Sequence, residues 1–362
     1  MAIPGFDDML RATQRIALHL ELRDTYAGAD PDFAAWQVGE LTDRSDSDAE
    51  WRSIIGPLVD REVNVRRLRV VSEPVSDYIR WEHMITDSSS IAAGESVRWV
   101  PRRRISDLAL PGNDFWLLDD RVLFNHFSGD GAWVSGEMST EPATREFCLS
   151  VFEALWLRGV DHADYTPDHD RAMSSHATHD PSSPTVSSGP ATATIDDLLR
   201  GAERRALHLE MRDTYAGTSP DFAAWLAGEP LDRSDGDAEW HAIVKPMIRR
   251  GVDMRRVRIV SEPVSDYIRF EHAMTPASNL AAGEDVRWVP RRRVSSFALP
   301  GNDFWLVDDR VLFLHFSGHG SLTDAELVVD SATVDPCLTA FGAVWKCGNE
   351  HQNYYPERVP KN

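Results

Sequence analysis

The chain has 362 residues, with 58 acidic against 38 basic side chains and a formal net charge of −20. That balance excludes generic binding to nucleic acid or anionic membrane, which depends on neutralising phosphates with Lys and Arg. The length implies two or more domains, and the three cysteines, Cys148, Cys337 and Cys347, lack the spacing of a zinc site or a disulfide framework.

The N-terminus carries Asp7 and Asp8 where an export signal needs basic residues, and no apolar run reaches the roughly 18 residues of a membrane span. A cytoplasmic protein is expected. Leu18, Leu20 and Leu22 then alternate with His19, Glu21 and Arg23, the period of a half-buried strand. A short helix is expected around Phe33 to Val38, and a longer one from Ser47, with Glu50 three residues on as a capping box, to about Arg61. Val63 to Val71 reads as a strand. Pro74 is expected to open a helix carrying Tyr78, Ile79, Glu82 and Met84, followed by a strand over Val97 to Val100. Phe115 to Leu118 and Val122 to Phe127 form a hairpin turning at Asp119-Asp120-Arg121, and a last helix runs from about Pro142 to Leu157. This order gives an α/β or α+β layered domain with a sheet of about five or six strands.

The same domain is then written again. At an offset of 189 residues the sequence matches itself without a gap over roughly 160 positions, about two thirds of them identical. Ser72-Glu73-Pro74 recurs as Ser261-Glu262-Pro263, and Asn113-Asp114-Phe115-Trp116 as Asn302-Asp303-Phe304-Trp305. The expected division is a first repeat over 1–165, a linker over 166–195 and a second repeat over 196–362, with the repeats arranged as an intramolecular pseudo-dimer. The linker, rich in Ser and Pro, has almost no large apolar residue and reads as a flexible tether. His162, His169, His176 and His179 there read as solvated linker residues rather than metal ligands.

Three polar clusters bear on function. Ser72 and Glu73 lie where a strand meets a helix; they either cap that helix or supply Glu73 as an acid, base or amine-recognising carboxylate. Asn113 and Asp114 precede a hairpin that leads to His126, which reads either as a hydrogen-bonded structural residue or as a proton carrier. Arg66, Arg67 and Arg69, with Arg102, Arg103 and Arg104, suit a phosphate or carboxylate, but acidic neighbours make solvated ion pairs the expected state. The tryptophans read mainly as core anchors that can also wall a pocket. No Walker loop, GxGxxG, HExxH, GxSxG or EF-hand occurs.

Through Ser72-Glu73-Pro74 with Tyr78, Arg98-Trp99-Val100-Pro101 and Gly112-Asn113-Asp114-Phe115-Trp116, each copy resembles an actinobacterial domain of unknown function whose members are often encoded beside helix-turn-helix regulators. The resemblance implies a cytoplasmic bacterial protein and no particular reaction; the usual member carries one copy. The element order is also similar to the phospholipase D-like fold. That family's chemistry needs His-x-Lys followed by Asp, and counting back from Asp120 finds Asn113 and Phe115 in those places, so the resemblance does not imply phosphodiesterase activity.

The reading that follows is a binding module for a small molecule or for a regulatory protein such as a helix-turn-helix regulator, with no cofactor and no metal. Its site draws on Ser72, Glu73, Tyr78, Arg80, Asn113, Asp114, Trp116 and His126, and on their mates Ser261, Glu262, Tyr267, Arg269, Asn302, Asp303, Trp305 and His315. The alternative is an enzyme of specialised metabolism, with Glu73 or Asp114 as base, His126 as acid and a tryptophan-lined pocket.

Overall fold

Leu18 and Leu20 alternate with His19 and Glu21 in a strand at the middle of a mixed sheet, so the leucines face one side and the polar pair the other. The computed structural model describes residues 5–26, 30–40, 42–167, 195–215 and 219–356. Two compact units divide the chain, one holding each copy. Of the linker expected over 166–195, residues 168–194 lie outside the described residues, and with them His169, His176 and His179.

The first unit runs α1 (Phe6–Ala12), β1 (Ile16–Glu21), α2 (Pro31–Gln37), α3 (Ser45–Asp60), β2 (Asn64–Val71), α4 (Asp77–Thr86), β3 (Ser96–Pro101), β4 (Ala109–Leu110), β5 (Asp114–Leu118), β6 (Arg121–Phe127), β7 (Trp133–Ser139), α5 (Pro142–Arg158) and β8 (Val160–Asp161). The second repeats it: α6 (Ile195–Arg200), β9 (Arg205–Glu210), α7 (Pro220–Leu226), α8 (Ser234–Arg249), β10 (Asp253–Val260), α9 (Asp266–Thr275), β11 (Asp285–Pro290), β12 (Leu299–Pro300), β13 (Asp303–Val307), β14 (Arg310–Phe316), β15 (Leu322–Val328), α10 (Ser331–Cys347) and β16 (Asn349–Glu350).

Among the described residues each unit has a seven-stranded sheet, ordered β7-β6-β5-β1-β2-β3-β8 in the first and β15-β14-β13-β9-β10-β11-β16 in the second. The strands β1, β2 and β3 are parallel, while β5, β6 and β7 extend the sheet antiparallel from β1. The fold is thus mixed α/β in two similar halves. The sheet is wider than the five or six strands expected because β7 is an exposed edge whose Ser135, Gly136 and Glu137 carry no apolar alternation, and β8 has two residues.

Helix α4 also differs from expectation. It is opened by Ser76, whose hydroxyl accepts the Ile79 N–H, and not by Pro74, which follows a cis peptide bond with Glu73. Ser72 and Glu73 therefore lie outside the helix they were expected to cap.

Helices divide the two faces of the sheet unequally. On the leucine face α5 packs Cys148, Val151, Phe152 and Leu155 against Leu18, Leu20, Leu68, Val70 and Phe115, closing the face with one long apolar layer. The other face carries two separate covers. Leu10 of α1 with Ile54, Ile55 and Leu58 of α3 sits over Ala17, Val65 and Trp116, and Phe33 of α2 with Tyr78, Ile79 and Trp81 of α4 sits beside Val71, Val97 and Trp99. Between the covers the polar residues of β1, β2 and β5 stay uncapped by helix.

The β5–β6 hairpin turns at Asp119, whose φ of 54° lies in the left-handed region that Asp tolerates. Its carboxylate also accepts the backbone N–H groups of Gln14, Arg15 and Ile16 at 2.9, 2.8 and 3.1 Å, fixing where β1 begins. Asp119→Gly keeps the turn and deletes the acceptor; it is expected to cost about 1–3 kcal/mol in a urea titration. A loss near zero would show that water replaces the carboxylate.

Candidate functional site

Strand register sets two polar rows across the uncapped face. His19 stands opposite Arg67 on β2 and Trp116 on β5, and Glu21 stands opposite Arg69, which in turn faces Trp99 on β3. On β5 and β6, Asp114 stands directly opposite Asn125. Alternation puts all of these on one face, since each strand contributes every second residue.

The rows form a buried charge network. Glu21 is shared: it accepts from Arg67 and, at 2.5 Å, from Arg69 Nε. Arg67 Nε reaches Glu95 at 2.9 Å, and Arg69 reaches Glu82 at 2.5 Å and the Thr86 hydroxyl at 2.8 Å. The Arg67 guanidinium lies over Trp51 and Trp116, and that of Arg69 over Trp99. Arg67 and Arg69 are 8% and 5% exposed, so these pairs are buried, not solvated as expected. Burial pushes the Glu21 carboxyl up, but Arg69 and Arg67 override it and hold the group below the usual carboxylate range. His19, stacked on Trp116 at 4.0 Å, is pushed down to about 3 by burial, with Arg67 and Arg69 adding to the effect against Glu21. It is a neutral imidazole at physiological pH.

Above this floor opens a cleft of about 440 Å³, lined by His19, Glu21, Arg67, Arg69, Glu82, Asp114 and Asn125 and walled by Phe6, Tyr26, Tyr78, Trp116, Phe127 and Trp133. A bulge between His126 and Phe127 makes Trp133, and not Val134, the partner of Phe127, which brings its indole to the cleft. Tyr26 donates to Asp114 Oδ2 at 2.5 Å, and the Leu22 N–H donates to Oδ1 at 3.0 Å. Burial lifts Asp114 to about 6 despite the Tyr26 hydrogen bond and nearby Arg23. The Tyr26 phenol, buried beside that carboxylate, is held far above its ordinary value.

Of the residues singled out in the sequence, the structure brings Tyr78, Asp114 and Trp116 together here, and Tyr267, Asp303 and Trp305 occupy the matching positions of the second copy. Tyr78 donates to Glu82 at 2.8 Å, and Tyr267 to Glu271 at 3.1 Å. The others lie elsewhere. Glu73 accepts from Tyr165 at 3.0 Å and pairs with Arg103 at 3.2 Å; Glu262 accepts from Tyr354 at 3.0 Å and pairs with Arg292. The Ser72 and Ser261 N–H groups each donate to a buried aspartate, Asp24 and Asp213, at 2.8 Å. Arg80 and Arg269 pair with Asp77 and Asp266 on their own helices. Asn113 and Asn302 are buried in the loops entering β5 and β13.

His126 corrects the expected acid–base pair. Its neighbour Asn125 faces Asp114, so His126 points to the opposite side of the sheet, where it meets Ser135 at 3.2 Å and Glu137 at 3.4 Å. His315 repeats this with Glu326 at 3.5 Å. A sheet separates each histidine from its aspartate, and the two cannot act on one substrate. His162 is also no linker residue: it accepts from buried Trp99 at 3.1 Å, and its ring lies 4.5 Å from that of His83, tilted by 32°.

Sequence reasoning missed His19, Glu21, Tyr26, Glu82 and Asn125. The signal available was complementarity: Glu21 on one strand and Arg67 and Arg69 on the next share a period of two, which marks a paired face and not a solvated one.

A family model describing a domain of unknown function, DUF6879, matches residues 4–167 and again 193–356. The chain belongs to the DUF6879 family. It carries two tandem DUF6879 domains, and no curated protein matches it. Among solved structures, phosphatidylserine synthase of Haemophilus influenzae is 9% identical over 98% of this chain and 88% of its own, with a TM-score of 0.30. Nuc, a phospholipase D family member of Salmonella typhimurium, is 14% identical over 43% of this chain and 86% of its own, with a TM-score of 0.26. The resemblance of these DUF6879 domains to the phospholipase D-like fold is therefore weak. Among the described residues no helix is long and apolar enough to cross a membrane.

Proposed function

We propose that this tandem DUF6879 protein is a small-molecule-binding module whose ligand sits in the cleft over Glu21, Asp114 and Asn125. The observation that carries the reading is a concave site with aromatic walls and a fixed polar floor, of the size of about 300–1,000 Å³ common to small-ligand clefts. The floor is held by Arg67 and Arg69, whose forks are filled by Glu21, Glu95 and Glu82, so it is rigid before a ligand arrives.

Binding is favoured over turnover by the proton affinities. Burial sets Asp114 near neutrality, but His19 and Tyr26 are driven far from it in opposite directions, which leaves a base without an acid partner.

A thermal-shift screen of the full chain against nucleobases, amino acids, sugar phosphates and aromatic acids tests the reading. A ligand at about 100 times its Kd stabilises by about 2.7 kcal/mol, a shift of several degrees. Trp133→Leu is expected to remove most of that shift. A hit indifferent to Trp133→Leu would place the site elsewhere, and silence across the panel would move the reading to a protein partner such as a helix-turn-helix regulator, sought by pull-down from the native host.

A further inference from the structure

Two side chains of the cleft keep polar atoms that the fold leaves without a hydrogen bond: His19, whose Nδ1 is sealed from solvent, and Asn125, whose amide can still reach a ligand. Asn125 is 8% exposed and lines the cleft, and among the described residues nothing hydrogen-bonds its carboxamide. Its carboxamide is not sealed from the cleft, whereas the carboxylates around it are engaged: Glu21 by two arginines, Glu82 by Tyr78 and Arg69, Asp114 by Tyr26 and Leu22. Directly opposite it on the same face stands Asp114, a carboxylate whose oxygens each keep a second acceptor site. Neighbouring residues facing each other across antiparallel strands hold their side chains about 5 Å apart. Here that places a donor–acceptor amide beside a pure acceptor.

Resting on the reading of the cleft as a ligand site, we propose that the first copy binds a planar nitrogen heterocycle that presents an amino group next to a ring nitrogen. The Asn125 carbonyl accepts from the amino group while its NH₂ donates to the ring nitrogen, the two-point pairing that asparagine makes with an adenine edge. Asp114 accepts a further N–H. Phe127 and Trp133, paired across β6 and β7, give the ring an aromatic surface to stack on. Anionic rings are disfavoured, because the lining holds Glu21, Glu82 and Asp114 against Arg67 and Arg69, whose donors are already committed to carboxylates and Thr86.

The second copy keeps the floor and loses the reader. Glu210 is shared by Arg256 and Arg258, and Tyr215 donates to Asp303 at 2.5 Å, as in the first copy. Opposite Asp303, however, stands Leu314, and the residue paired with Phe316 is Leu322, where the first copy has Trp133. A leucine cannot make the two-point pair. One site per chain is the consequence.

Calorimetric titration of the full chain with adenine, purine and benzoate decides this. Adenine is expected to bind at one site per chain and at least tenfold more tightly than purine, which lacks the amino group, with benzoate weaker still. Asn125→Leu, a residue the second copy already tolerates there, is expected to weaken adenine at least tenfold, and Leu314→Asn with Leu322→Trp to raise the stoichiometry to two. Equal binding of adenine and purine, tighter binding of benzoate, or indifference to Asn125→Leu would overturn the ligand class. If a different compound of the screen then binds and Trp133→Leu abolishes it, the cleft stands as a ligand site and only the heterocycle is wrong; if nothing binds, both readings fail.

Discussion

Glu21→Ala is expected to destabilise the first copy by about 3–5 kcal/mol, the usual cost of removing one partner from a buried ion network. The carboxylate sits between Arg67 and Arg69, both nearly inaccessible to water, and its loss strands two guanidiniums on the same sheet face. Glu95 and Glu82 still compensate part of the charge, so the effect is large without being the sum of two isolated losses. Glu210→Ala is expected to do the same to the second copy, where Arg256 and Arg258 share that residue. Chemical denaturation followed by circular dichroism reads both. A loss below about 1 kcal/mol would mean that water reaches the arginines and that the network behaves as a surface one.

Asp114→Asn is expected to stabilise the protein at pH 8 and to leave it unchanged at pH 4. Burial raises the carboxyl from 3.8 to about 6 in the folded chain, so the folded state holds its proton more tightly than the unfolded state. The stability this confers is fully present below pH 3.8 and is lost as pH rises through about 6, so above that the ionised group costs the fold. A gap of about two units corresponds to about 3 kcal/mol, and asparagine, which never ionises, escapes that penalty. Asp303, also raised to about 6 by burial, adds a comparable term from the second copy. Melting temperatures of the wild type and of Asp114→Asn with Asp303→Asn, measured from pH 4 to 8, are expected to diverge as pH rises through about 6. Parallel curves would show that both aspartates are already charged at pH 4.

Much of the fold was legible because its signals are local. The alternation at Leu18 to Leu22, the apolar strand around Val70 and the Asp119 turn each announce themselves within a few residues, and the repeat makes each appear twice. The edge strands were not legible, since β7 carries Gly136 and Glu137 where a buried strand would show apolar alternation. For the site, residue chemistry pointed to Asp114, Tyr78 and Trp116, whereas facing direction could not be read without the register. His126 and Asp114 are close in sequence and share a hairpin, yet an odd offset in the ladder sends them to opposite faces. Glu21 and Arg69 are 48 residues apart and meet only because β1 and β2 run parallel with that register.

The two copies share the charged floor and the aspartate, and differ where a ligand would be read. Asn125 has become Leu314 and Trp133 has become Leu322, while Arg67, Arg69, Glu21 and Asp114 recur as Arg256, Arg258, Glu210 and Asp303. Identity at the floor is what stability demands, because each buried charge needs its partner. The changes at Asn125 and Trp133 leave that charge network intact, and on the proposed reading they alter what the second copy can accept.

Fluorine NMR of the full chain labelled with 5-fluorotryptophan, with and without saturating adenine, bears most directly on where the ligand sits. The twelve tryptophans sample both faces of both sheets, and single Trp→Phe variants assign their signals. Shifts at Trp116 and Trp133 with Trp305 unmoved are the expected result. Shifts confined to Trp156, on the helix α5 of the opposite face, or to Trp36 and Trp81 would contradict it and place the working surface elsewhere.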